Sequence, residues 1–282
     1  MNFLEQHKTV FGRILTFELP MEAYPDRRPR TIRVWLPDSY DGSRRFPVLY
    51  MHDGQNLFTE SESRCNSWHV NQEMNLLCKE QLPAIVVGID NADTRMSELC
   101  PDMPVNPDMY EICSLPHKQI VPTGHLYAKF VAEQLKPVID QRFATLSDQQ
   151  HTAIGGSSMG GLMSLYMLLK YPDIYSKAMV FSPNFVTHTR ESLLRWIHSN
   201  DYAKLENCRI FVFHGGIGLE AANWPYVQEV VAAMRSHGLS DTQLALVYDS
   251  RQPHFETAWR KYFAEAFRYL FTADNSEIRD FH

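Results

Sequence analysis

The chain is poor in the features that would settle its class at once. No apolar run approaches the ~18 residues of a membrane-spanning helix, so no membrane partner is expected. The five cysteines, Cys65, Cys78, Cys100, Cys113 and Cys208, are odd in number and show no Cys-x-x-Cys spacing. That argues against a disulfide framework or a zinc ribbon and for reduced thiols. There is no basic run, and the net charge is −6, so nucleic acid is not an expected partner. The opening MNFLEQHKTVFGRILTFELP lacks a charged start followed by an apolar stretch. No signal peptide is therefore expected, and a cytoplasmic location fits. No H-x-H or H-E-x-x-H pattern is present, and no Lys-Ser/Thr pair follows the glycines. These absences exclude the common metal motifs and a P-loop, and no cofactor is expected.

What remains is ordinary globular composition, 44% hydrophobic and 21% charged over 282 residues. Val10 to Leu19 and Thr31 to Leu36 are predicted as strands that pair antiparallel at a sheet edge. Further buried strands are predicted at Phe46 to Met51, Ala84 to Ile89, Thr152 to Ile154, Lys177 to Phe181, Ile210 to Phe213 and Gln243 to Tyr248. Apolar spacing predicts helices at Val70 to Lys79, Leu126 to Phe143 with a kink at Pro137, Leu162 to Leu169, Glu191 to His198, Val227 to Met234 and Phe255 to Phe271. Asn91 to Gly124, with five prolines, reads as a loop excursion. Alternating elements imply a single α/β domain over residues 1–282, with a mostly parallel sheet covered by helices on both faces.

The most informative stretch is Gly156-Ser157-Ser158-Met159-Gly160, a G-x-S-x-G pattern between a predicted strand and a predicted helix. In that context it is a nucleophile elbow. The bland alternative is a Gly/Ser-rich loop in another α/β fold. A serine hydroxyl needs a base, and the base needs a group to hold it. His254 lies between the last strand and the last helix, where such a base belongs, and His214 is its rival. Glu220 is the only carboxylate in the loop His214 to Glu220 and is the candidate acid, with Asp249 as the alternative. The backbone N–H groups of Met159 and Gln55 are candidates for an oxyanion hole, the latter through the turn Asp53-Gly54-Gln55. Phe58, Trp68, Met96, Met103, Met109 and Tyr110 are candidate pocket walls, while Trp196, Trp224 and Trp259 read as helix-face residues. Arg95 and Glu98 are candidates either to brace the loop as a pair or to meet a polar substrate, and their sequence distance does not decide between the two.

Leu49 to Phe58, Gly155 to Leu162, Phe181-Ser182-Pro183, Lys136 to Asp140, and His254 with Trp259 together resemble the esterase D-like family of α/β-hydrolases. The resemblance implies an α/β-hydrolase fold without a separate cap domain. It also implies Ser158 and His254 as nucleophile and base, and Gln55 and Met159 as oxyanion-hole amides. In the family a Glu or Asp follows a short glycine loop, and Gly216 to Glu220 is one residue longer than that form. The expected activity is cleavage of a small-molecule carboxylic ester through an acyl-enzyme. Relatives act on acyl or feruloyl sugars, siderophore esters or thioesters. An acyltransferase on the same fold and a non-catalytic binding module are the competing readings.

Overall fold

A computed structural model describes residues 5–60, 66–113 and 120–272. Cys65 lies outside the described residues. The strands are β1 (Glu5–Lys8), β2 (Arg13–Pro20), β3 (Pro29–Leu36), β4 (Val48–His52), β5 (Ile85–Ile89), β6 (Thr152–Ser157), β7 (Lys177–Phe181), β8 (Arg209–Ile217) and β9 (Leu244–Pro253). The helices are α1 (Val70–Lys79), α2 (Arg95–Glu98), α3 (Met109–Ile112), α4 (Gly124–Lys129), α5 (Lys136–Arg142), α6 (Met159–Lys170), α7 (Arg190–His198), α8 (Leu219–Ser236) and α9 (Glu256–Phe271).

The strands form one sheet in the order β1-β2-β3-β5-β4-β6-β7-β8-β9. From β1 to β5 the pairing is antiparallel, and from β5 through β4 to β9 it is parallel. β4 and β5 are buried at every position, as parallel strands covered on both faces must be. Successive side chains point to opposite faces. Tyr50 therefore joins the larger core, packed against α4 to α8, while Leu49 and Met51 join the smaller one under α1 and α9. The face that α9 presents to it carries Trp259, Phe263, Phe267 and Leu270, a helical stripe.

Several elements depart from the sequence reading. β2 begins at Arg13, because Thr9 N–H bonds to Gly12 O in a turn where Gly12 has φ 75. Instead of a simple proline kink, a π-helical stretch, Phe130–Leu135, joins α4 to α5 just before Pro137. Widened turns of this kind accommodate a missing N–H. The excursion after Asn91 contains α2 and α3. Helix α8 begins at Leu219 with Pro225 inside it, so Glu220 lies in a helical first turn and not in a loop.

β4 and β6 are neighbours, yet β4 leads through α1 to β5 on one side and β6 through α6 to β7 on the other. Crevices form outside the carboxyl ends of strands at such a switch point. The two segments that meet there are Asp53 to Asn56, after β4, and Ser158, after β6.

Candidate active site

Ser158 has φ 59 and ψ −122, a strained backbone of the kind found at functional turns. Its N–H bonds to Phe181 O at 2.9 Å, and its carbonyl accepts from Asn184 N at 3.0 Å, so the strain is held from both sides. The small neighbours are required by contact. A Cβ on Gly156 would meet His52 Cδ2 at 3.0 Å, and one on Gly160 would meet His52 Cβ at 3.1 Å. His52 is buried under the turn, with Nδ1 2.8 Å from Tyr127 Oη, and burial pushes its pKa down to about 4. Met159 opens α6, where the first N–H groups precede the helical hydrogen-bond ladder.

Opposite, Asp53 adopts a left-handed φ of 58, and Gly54 to Asn56 form a single 3-10 turn. Gln55 is buried, and its Oε1 accepts from Asn91 N at 3.0 Å. Its side chain is thus tied to the excursion while its backbone stays in the turn. Arg95 holds Asp53 with Nε to Oδ1 at 2.6 Å and Nη2 to Oδ2 at 2.8 Å. Burial raises the Asp53 pKa, but Arg95 and the Asn91 hydrogen bond outweigh it and lower the pKa on balance. The Arg95–Glu98 pairing read from sequence is not formed. Glu98 is buried on Arg30, at 2.7 Å.

Ser158 and His254 line one cavity of about 510 Å³, together with Asp53, Asn56, Arg95, Met96, Glu256 and Trp259. Among the described residues no hydrogen bond joins the Ser158 hydroxyl to the imidazole. Such contacts are often loose without substrate. On its other side, His254 Nδ1 lies 3.2 Å from Glu220 Oε1, within ion-pair distance but without hydrogen-bond alignment. Glu220 is fully buried. Its Oε1 also accepts from the Ser182 hydroxyl, which in turn accepts from Trp259 Nε1 at 2.9 Å. Burial pushes the Glu220 pKa up, but the neighbouring His254 imidazole, His214 and the Ser182 bond together hold it below the usual carboxylate value.

His214 is buried behind this carboxylate, with Nε2 3.1 Å from Oε2 and 2.9 Å from the Glu220 carbonyl. It does not line the cavity. Asp249 is engaged elsewhere, by Arg251 at 3.0 Å and by the Tyr262 hydroxyl at 2.7 Å. Of the six candidate pocket walls, Met96 lines the cavity. Phe58, Trp68 and Met109 are buried, Met103 packs on the larger core and the Tyr110 hydroxyl accepts from Ile120 N. Trp259 lies on a helix face and also lines the cavity, standing edge-on to His254 at 5.1 Å. Ser182, Trp259 and His214 are the neighbours that sequence reasoning did not connect to Glu220. The signals in the sequence are the Phe181-Ser182-Pro183 stretch and the pairing of His254 with Trp259.

Among the described residues no helix is long and apolar enough to cross a membrane. The family described as "Putative esterase" matches residues 26–270. The chain is similar to "Uncharacterized protein YbbA" of Bacillus subtilis (strain 168), 23% identical over 258 residues, covering 88% of this chain and 95% of the relative. In fold it is similar to a ferulic acid esterase, at TM-score 0.63 and 18% identity, covering 94% of this chain and 98% of the other. It is likewise similar to ferric enterobactin esterase from Salmonella typhimurium, at TM-score 0.67 and 18% identity, covering 93% of this chain and 59% of the other. With the α/β-hydrolase fold and this match over most of its length, the chain belongs to the esterase family and is a carboxylic ester hydrolase.

Proposed function

We propose that the chain hydrolyses a small-molecule carboxylic ester through Ser158, His254 and Glu220. The observation that carries this reading is the position of His254, which lines the same cavity as Ser158 and has a buried carboxylate 3.2 Å behind its ring.

His254 Nε2 takes the Ser158 proton as Oγ bonds to the ester carbonyl carbon. Glu220, ionised and dry, keeps the Nδ1 proton in place and stabilises the imidazolium that forms. The carbonyl oxygen becomes an oxyanion held by the Gln55 and Met159 amides. The carbon–alkoxide bond then breaks, and the imidazolium proton goes to the leaving oxygen. In the second half a water gives its proton to His254 and attacks the acyl carbon. Ser158 recovers its proton as the acid departs.

The test is p-nitrophenyl butyrate turnover by wild type and Ser158→Ala. The expected loss in kcat is at least ~10³-fold, by analogy with other triads. Wild-type turnover by the variant would overturn the reading.

A further inference from the structure

The cavity holds one group that the hydrolytic steps do not use. Glu256 opens α9 two residues after His254, is 6% exposed and lines the cavity. Its one hydrogen bond to another side chain among the described residues is long, 3.5 Å from Asn56 Nδ2 to Oε1. The other charged groups of the cavity are already engaged. Asp53 is held by Arg95 and Asn91, Arg95 directs its Nε and Nη2 at Asp53, and Asp93 has a partner of its own. Burial, reinforced by Asp53, pushes the Glu256 pKa up, against its own backbone N–H, His254 and Arg95.

A first-turn carboxylate ordinarily gains from the helix dipole while remaining in water. Glu256 is instead withdrawn from solvent into the reaction cavity. Its long contact with Asn56 leaves room for a better-placed donor, and a bound substrate can supply one. The leaving alcohol departs on the side of the imidazole that protonates it, and Glu256, two residues on in the chain, lines the same cavity as that imidazole.

We propose that Glu256 reads the alcohol half of the substrate, so that the site selects esters whose alcohol carries a hydrogen-bond donor, a hydroxyl or a protonated amine, near the scissile oxygen. This rests on the Ser158–His254 reading and names the substrate class of the same site.

The experiment compares kcat/KM for four butyrate esters: ethyl, 2-hydroxyethyl, 2-(dimethylamino)ethyl and choline. The choline ester is cationic without a donor. Wild type is expected to prefer the hydroxyethyl or the dimethylaminoethyl ester over the ethyl ester by about tenfold or more. Whichever leads identifies the donor as hydroxyl or ammonium. That ratio is expected to fall close to one in Glu256→Ala. Glu256→Gln keeps a carbonyl acceptor and should retain a hydroxyl preference while losing an ammonium preference. A wild-type ratio near one overturns the proposal, as does a preference for the choline ester alone. An equal loss on all four esters in Glu256→Ala, ratio unchanged, also overturns it, because a merely structural role would act that way. If Glu256→Ala does not fold, the wild-type and Glu256→Gln ratios decide. Turnover of p-nitrophenyl butyrate in the same preparation separates the two readings. Its absence in wild type strikes the catalytic reading, while flat ratios with that turnover intact strike Glu256 alone.

Discussion

Arg95 clasps Asp53 across 42 positions of sequence through two hydrogen bonds, at 2.6 and 2.8 Å. The clasp ties the excursion after β5 to the turn that carries Gln55. A planar guanidinium meeting a carboxylate with two donors is a geometry that lysine cannot reproduce. Arg95→Ala leaves Asp53 without its cation and is expected to cost about 1–3 kcal/mol of stability. Activity should fall with it, because the turn is no longer held. A double-mutant cycle with Asp53→Asn, read by urea denaturation, should return a coupling of about 1–3 kcal/mol. A coupling near zero would mean that the turn holds itself.

The carboxylate of Glu220 supports a second prediction. Glu220→Gln should lower kcat by at least ~10²-fold, since the imidazolium loses its counter-charge. Asp249→Asn, whose carboxylate meets Arg251, Gln252 and Tyr262 and not His254, should leave kcat within about twofold. Steady-state kinetics on p-nitrophenyl butyrate checks both, and the reverse ranking would make Asp249 the acid.

Ser182→Ala removes the hydroxyl between Trp259 Nε1 and Glu220 Oε1. Two buried groups then lose a partner, at about 1–3 kcal/mol each. The expected result is a clear drop in melting temperature together with a smaller loss of kcat than Glu220→Gln gives. An unchanged melting temperature would show that the hydroxyl is dispensable.

The elbow was legible because its signal is local: a strand, two glycines around Ser158 and a helix within a dozen residues. Chain order makes His254 the candidate base, and Glu220 is the candidate acid as the only carboxylate in its segment. What the sequence hid was contact between distant residues. Arg95 and Glu98 are neighbours along the chain, yet each is paired with a residue far away, Asp53 and Arg30. Trp259 has the spacing of an ordinary helix-face residue, and its indole N–H acquires a role only when β7 brings Ser182 beneath it. His214 could not be separated from His254 by order alone. His214 is buried behind Glu220, whereas His254 lines the cavity.

Two buried histidines, His52 beneath the Ser158 turn and His188, set an acid limit on stability. Burial lowers the pKa of His52 and of His188 to about 4, against about 6.5 in an unfolded chain. Between those values the unfolded state binds the extra protons, so stability falls as pH drops through that window. The slope is about 1.4 kcal/mol per pH unit for each histidine. Urea midpoints measured from pH 7 to 4.5 should decline accordingly, and His188→Asn should decline less steeply. A pH-independent midpoint would contradict the buried neutral state.

The most direct test of the central claim is the rate of fluorophosphonate labelling, followed by intact mass and by the position of the label. Wild type should take one label, on Ser158, and His254→Ala should react at least ~100-fold more slowly, because the hydroxyl has lost its base. An unlabelled wild type, or equal rates with and without His254, would contradict activation of Ser158 by His254.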